Sequence, residues 1–158
     1  MKYAEDIISN GFKPGILIID EGWHGRYGTW SFDPLKFPDP KAMIDKLHDM
    51  GFKVMLWVVP YVTADGEAFA RNIPPRKDLF IRNKDGDVSI MSWWNGYSAV
   101  LNLYNPVDAE FLDSQLRELT DKYGVDGFKF DGGSYDLYSE KSFINGAPDC
   151  GYSAAELN

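Results

Sequence analysis

An α/β architecture built on a parallel sheet is the fold class this sequence predicts, and three observations predict it. First, residues 16–19, 53–60 and 127–131 are short apolar runs, rich in β-branched and aromatic side chains, of the kind that forms buried strands. Second, the stretches between them carry apolar residues at helical spacing. Third, runs and helical stretches alternate, which gives a parallel sheet with right-handed crossovers. Three strong strands occupy most of the 158 residues, and a lone three-stranded parallel sheet leaves both edges unprotected. The prediction is therefore a partial (β/α)8 TIM barrel of about three βα units, from a fold that takes about 250 residues in full. A small doubly wound sheet is the competing architecture.

The elements follow in order. Residues 3–10 read as a short helix stopped at Gly11. The run 16–19 is closed by Asp20 and Glu21, and residues 22–38 form a loop rich in Gly, Pro and aromatics. Asp39 and Pro40 supply a helix cap and a first-turn proline. Met43, Ile44, Leu47 and Met50 then line one helix face, and Gly51 ends it. Residues 53–60 are the second strand, and a helical turn is expected at 67–71. Asp85-Gly86 signals a tight turn, so an inserted hairpin is expected near 79–92. Asn105-Pro106 repeats the cap-then-proline signal before a helix lined by Leu112, Leu116, Leu119 and Tyr123. Gly124 closes that helix, and the third strand follows. The tail beyond Ser134 has no clear period. No linker divides the chain, so residues 1–158 are read as one piece of a catalytic domain.

Composition narrows the function. The formal net charge of −8 argues against partners held through phosphates, so neither nucleic acid nor an anionic membrane surface is expected. A single cysteine, Cys150, excludes an internal disulfide and a CxxC metal pair. No transmembrane-length apolar run and no cleavable signal are found, so no compartment is assigned. Aromatics make up 15%, which suits stacking on sugar faces and equally suits a core.

Polar chemistry gathers at the strand ends. In parallel α/β proteins those C-terminal ends and the loops after them hold the site. Asp20, Trp57, Lys129 and Asp131 should therefore converge on one mouth, with Trp23, His24, Arg26, Tyr27, Trp30, Trp93 and Trp94 in the loops around it. Lys129 and Asp131, two apart on a strand, share a face. They fit a site or a salt-bridged strand end. An acidic floor ringed by aromatics and a cation is what glycoside chemistry needs, since carboxylates stabilise an oxocarbenium-like centre. Trp57 also fits a core position, and Trp93, Trp94 and Tyr97 also fit packing under the hairpin. His24 reads as a loop hydrogen-bonder rather than a metal ligand, with no second His at ligand spacing. His48 reads as a surface residue and Asp126 as structural.

The ordered motifs IDEGW (19–23), FDPLKFPDPKAMIDKLHDMGFKVMLWVVP (32–60), LNLYNP (101–106) and GVDGFKFDGG (124–133) resemble glycoside hydrolase family 31. Family 36, of the same clan, shares the strand-end aspartate. The resemblance implies that Asp131 is the catalytic nucleophile of a retaining α-glycosidase, forming a covalent glycosyl intermediate. It implies that Lys129 and Asp20 contact sugar hydroxyls and that Trp57 walls the same subsite. Glu21, Trp23 and Trp94 complete the candidate substrate-binding set. No metal and no cofactor are implied; the partner is an α-linked carbohydrate. The family's acid/base falls beyond residue 158, so a partial site is expected. Glu21 stands where IDDGW versions have Asp, and Ser134 where an acidic residue often follows. The alternatives are a non-catalytic carbohydrate-binding fragment, a family 36-like α-galactosidase, and a metal-dependent hydrolase using Asp20, Glu21, His24 and Asp131. Self-association through open barrel edges is a further expectation.

Overall fold

A computed structural model describes residues 1–66, 69, 79–133 and 142–143. In chain order the elements are α1 (Lys2–Ser9), β1 (Ile16–Ile19), α2 (Pro40–Asp49), β2 (Lys53–Val58), β3 (Tyr61–Thr63), β4 (Arg82–Asn83), β5 (Ile90–Trp93), β6 (Gly96–Val100), α3 (Pro106–Tyr123), β7 (Gly127–Phe130) and β8 (Ser142–Phe143). The expected helical turn at 67–71 lies outside the described residues except for Phe69. The chain forms two compact units. The first comprises Met1–Gly25, Trp30–Val58 and Gln115–Phe130; the second comprises Arg26–Thr29, Val59–Ser114 and Asp131–Asn158.

The first unit holds the parallel sheet, in the order β1-β2-β7. Its register pairs Ile16 with Lys53, Ile19 with Leu56, and Trp57 with Lys129. The central strand β2 is the core: Val54, Leu56, Trp57 and Val58 are all buried. The edge strand β1 departs from the expected two-sided burial, with Ile16 63% and Ile18 47% exposed. Burial of a parallel strand on both faces needs a layer on each. In β1 exposed and half-buried residues alternate instead.

Local chemistry sets the helix that packs on this sheet. Asp39 accepts a hydrogen bond from the Ala42 amide at 2.9 Å, and Pro40 opens α2. Ile44 and Leu47 are the buried residues of α2, which packs against β2. Gly51 ends the turn in the left-handed region, φ +89°, where a Cβ would lie 2.9 Å from Pro14 Cγ. Asp126, just before β7, ties the start of the sheet to this helix. It accepts hydrogen bonds from Lys53 Nζ (2.8 Å) and the Val54 amide (2.8 Å), and it pairs with His48 Nε2 at 2.7 Å. His48, expected at the surface, is thus a half-buried ion-pair partner.

That knot makes stability depend on pH. Burial alone would raise the Asp126 carboxyl. The hydrogen bonds from Lys53, Val54 and His48 outweigh it and hold the group down at about 2, against 3.8 for an ordinary aspartate. A folded value below the unfolded one stabilises above about pH 4, and the contribution is lost as pH falls from there through about 2. Chemical denaturation of the wild type should therefore lose about 1 kcal/mol more than Asp126→Asn between pH 5 and 2. Parallel stability curves for the two proteins would contradict this assignment.

The second unit is built on an antiparallel sheet in the order β3-β6-β5. Tyr61 pairs with Val100, and Ser92 with Tyr97. The Asp85-Gly86 turn closes a small hairpin, with Gly86 at φ +88° and the Ser89 amide donating to the Ile81 carbonyl at 2.9 Å. The longer hairpin is β5–β6, which turns through Trp94-Asn95. Beside it β4 pairs with β8. At the start of α3 the fully buried Asp108 accepts hydrogen bonds from the Phe80 amide (2.8 Å) and the Asn102 amide (2.6 Å). Phe80 has φ +74°, the one described non-glycine residue with positive φ.

Candidate active site

The first unit places three of the expected residues at one level of the sheet. Asp20 extends β1 by one residue, so it stands beside Trp57, which pairs with Lys129. Strands are about 4.8 Å apart, so Asp20 and Lys129 start about 10 Å apart across β2. The long lysine side chain closes that gap, with Nζ 2.9 Å from Asp20 Oδ2. Both side chains are solvent-accessible, at 40% for Lys129 and 58% for Asp20. The Lys129 hydrogen bond, helped by the Glu21 amide at 2.8 Å, holds the Asp20 carboxyl below the ordinary aspartate value. The result is an accessible ion pair at the C-terminal strand ends. It presents an acceptor and a donor side by side, suited to adjacent hydroxyls.

The loop after β1 is fixed by its own contacts. The Trp23 indole donates to the Trp57 carbonyl at 2.7 Å, and its ring meets His24 and Phe32 edge-on at 5.1 and 5.0 Å. The Asp33 amide donates to the Trp23 carbonyl at 2.9 Å, and Lys36 Nζ to the Gly22 carbonyl at 2.8 Å. Trp23 and Trp57 are each only 1% exposed. An aromatic wall for a sugar from either ring needs a face that is covered in this structure. Burial pushes the His24 imidazole down to about 4, although the Glu21 charge opposes it. His24 is therefore a neutral, buried ring at neutral pH. Glu21 is exposed at the loop start.

Asp131 belongs to the second unit, directly after the last residue of β7. Its Oδ1 accepts a hydrogen bond from the Gly132 amide at 2.8 Å. Gly132 sits in the left-handed region at φ +79°. Trp94 is 54% exposed at the hairpin turn, its ring 4.9 Å from the buried Trp93. Trp93 in turn meets Tyr27 and Tyr61 edge-on at 4.8 and 4.5 Å, and its indole donates to Ser98 Oγ. Among the described residues no three His, Cys, Asp or Glu side chains come together to hold a metal ion. No described helix is long and apolar enough to cross a membrane.

Two long-range side-chain contacts carry no signature in the sequence. Tyr61 reaches Gly132 across 71 positions, and Asp108 reaches Phe80 across 28. The only local signal for Tyr61 was its place after a strand-ending proline.

Comparison with known proteins adds four findings. A family model described as "Glycosyl hydrolases family 31 TIM-barrel domain" matches residues 2–154. The chain is 36% identical over 134 residues to "Myogenesis-regulating glycosidase" of Mus musculus, covering 84% of this chain and 18% of that protein. It is 29% identical over 149 residues to "Alpha-xylosidase XylQ" of Lactiplantibacillus pentosus, covering 93% and 19%. Among solved structures, a GH31 alpha-xylosidase from a soil metagenome complexed with xylose superposes with a TM-score of 0.77 at 21% identity, covering 89% of this chain and 20% of that one. That likeness shows the fold, a portion of a TIM barrel. The chain spans about a fifth of the length of these relatives.

Proposed function

This chain belongs to glycosyl hydrolases family 31, and from that premise we propose that it forms the nucleophile-bearing portion of a retaining α-glycosidase, with Asp131 as the nucleophile. The observation that supports this most is the polar end of the parallel sheet. Asp20 and Lys129 join at 2.9 Å across the end of β2, and Asp131 follows Lys129 by two residues in the chain. In the first step an Asp131 oxygen bonds to the anomeric carbon while the bond to the leaving group breaks. The electron pair departs with the leaving oxygen, which takes a proton from an acid. Water then attacks the same carbon and gives a proton back to that acid's conjugate base, the ester bond breaks, and Asp131 regains its charge. Two inversions give net retention. Asp20 accepts from a sugar hydroxyl in this reading and Lys129 donates to one.

The acid/base is assigned to no residue of this chain. A retaining pair needs its carboxyls about 5–5.5 Å apart, and the second is proposed to lie outside residues 1–158. The substrate class proposed is an α-linked xyloside or glucoside, in line with relatives named as α-xylosidases. Trp94, as an exposed ring, is the proposed stacking surface; Glu21 is a lesser hydroxyl contact. The sheet edges at β1 and β7 suit self-association of the isolated chain.

Proton NMR of the first product from a p-nitrophenyl α-glycoside tests the stereochemistry in the full-length protein. The α anomer should appear before mutarotation. A β anomer as the first product would mean inversion and would remove Asp131 as a covalent nucleophile.

A further inference from the structure

We propose that Tyr61 is a positioning residue for Asp131, acting through the Gly132 peptide; this rests on Asp131 being the nucleophile. The Tyr61 hydroxyl donates to the Gly132 carbonyl at 2.8 Å in a buried setting. The amide of the same residue donates to Asp131 Oδ1 at 2.8 Å. One glycine is thus held at its carbonyl by Tyr61 and holds the carboxylate with its amide. Its φ of +79° is reached without strain only because it lacks a side chain. A Cβ there would lie 3.2 Å from Val59 Cγ1 and 3.3 Å from Tyr61 Cζ, so the peptide runs close against the tyrosine ring.

The anchor is rigid. Tyr61 is 1% exposed, paired with Val100 in the β3–β6 ladder, and wedged edge-on against Trp93 at 4.5 Å. On its N-terminal side the Pro60 carbonyl accepts from the Leu101 amide at 2.8 Å. A carboxylate that must meet one carbon along one line gains from having its rotation set before substrate arrives. The chain from β3 to Tyr61, to Gly132, to Asp131 sets that rotation from a strand rather than from the loop after the nucleophile.

Tyr61→Phe keeps the ring and removes only the donor. The test uses the full-length protein with α-xylosyl and α-glucosyl fluorides, together with hydrogen exchange at single amides. Exchange at Gly132 should speed up about tenfold while Leu101 is unchanged, and kcat should fall about tenfold with KM within about twofold. Gly132→Ala, which disturbs the same peptide from the other side, should lower kcat likewise. Unchanged Gly132 exchange, or kcat and KM both unchanged in Tyr61→Phe, would overturn the positioning role. A loss confined to KM would overturn it as well. Turnover surviving in Asp131→Asn would instead remove the nucleophile assignment, and the positioning role with it. Gly132 exchange in Tyr61→Phe would still show in that case whether the tether exists, so the two failures are told apart.

Discussion

Asp131→Asn is expected to lower kcat on an α-glycoside by at least about 10⁴-fold in the full-length protein, with KM little changed. The amide has the shape of the carboxylate, and its oxygen can still accept from the Gly132 amide. What it lacks is charge. It cannot stabilise the oxocarbenium-like transition state, and it is a poor nucleophile toward the anomeric carbon. Steady-state kinetics on an activated aryl glycoside read this directly. A variant within tenfold of the wild type would mean that another group attacks the sugar.

The largest expected effect on folding belongs to Asp108→Ala. Two buried amides, of Phe80 and Asn102, donate to one oxygen of this fully buried side chain. Each would be left without that acceptor, at about 1–3 kcal/mol apiece. Phe80 adds to the cost, because its φ of +74° is disfavoured for an L residue and is held by this contact. Some of the loss is offset, since a polar carboxyl group no longer has to be buried. The net expectation is a destabilisation of about 3 kcal/mol, or a fall in Tm of roughly 10 °C. Asp108→Asn, which keeps one acceptor oxygen, should lie between. Urea denaturation checks both variants, and a loss below about 0.5 kcal/mol for the alanine variant would mean that the clamp is not holding Phe80.

Much of the parallel sheet was legible because its signals are local. The runs 16–19, 53–60 and 127–131 contain β1 (Ile16–Ile19), β2 (Lys53–Val58) and β7 (Gly127–Phe130), the last two strands stopping short of the expected ends. The two cap-then-proline pairs, Asp39-Pro40 and Asn105-Pro106, stand at the starts of α2 and α3. The β5–β6 hairpin was not foreseen, although an Asn-Gly pair lies in it. The loop turns through Trp94-Asn95, one residue earlier than that pair would place it, and Gly96 opens β6 at φ +106°. The exposure of Ile16 and Ile18 depends on what covers β1, which an apolar run alone does not state.

The candidate site shows the same division. Asp20 and Lys129 were readable as strand-end polar residues, and their register follows from parallel pairing. Trp23 and Trp57 carry aromatic chemistry that suits a sugar or a core with equal ease; the indole-to-carbonyl bond between them is a packing outcome. Tyr61 and Asp108 act on partners far away in the chain, and no spacing rule reports such contacts. Their residue types were visible in the sequence, but their tasks are set by tertiary approach.

Trapping the glycosyl-enzyme tests the central claim most directly. The full-length protein would be mixed with α-xylosyl, α-glucosyl and α-galactosyl fluorides, quenched, and followed by intact mass and peptide mapping. Fluoride departs without a proton donor, so the first step is read apart from the acid. A mass gain of one glycosyl unit is expected on the peptide that contains Asp131, absent in Asp131→Asn. An adduct on another residue, or fluoride release that is undiminished in Asp131→Asn, would contradict it.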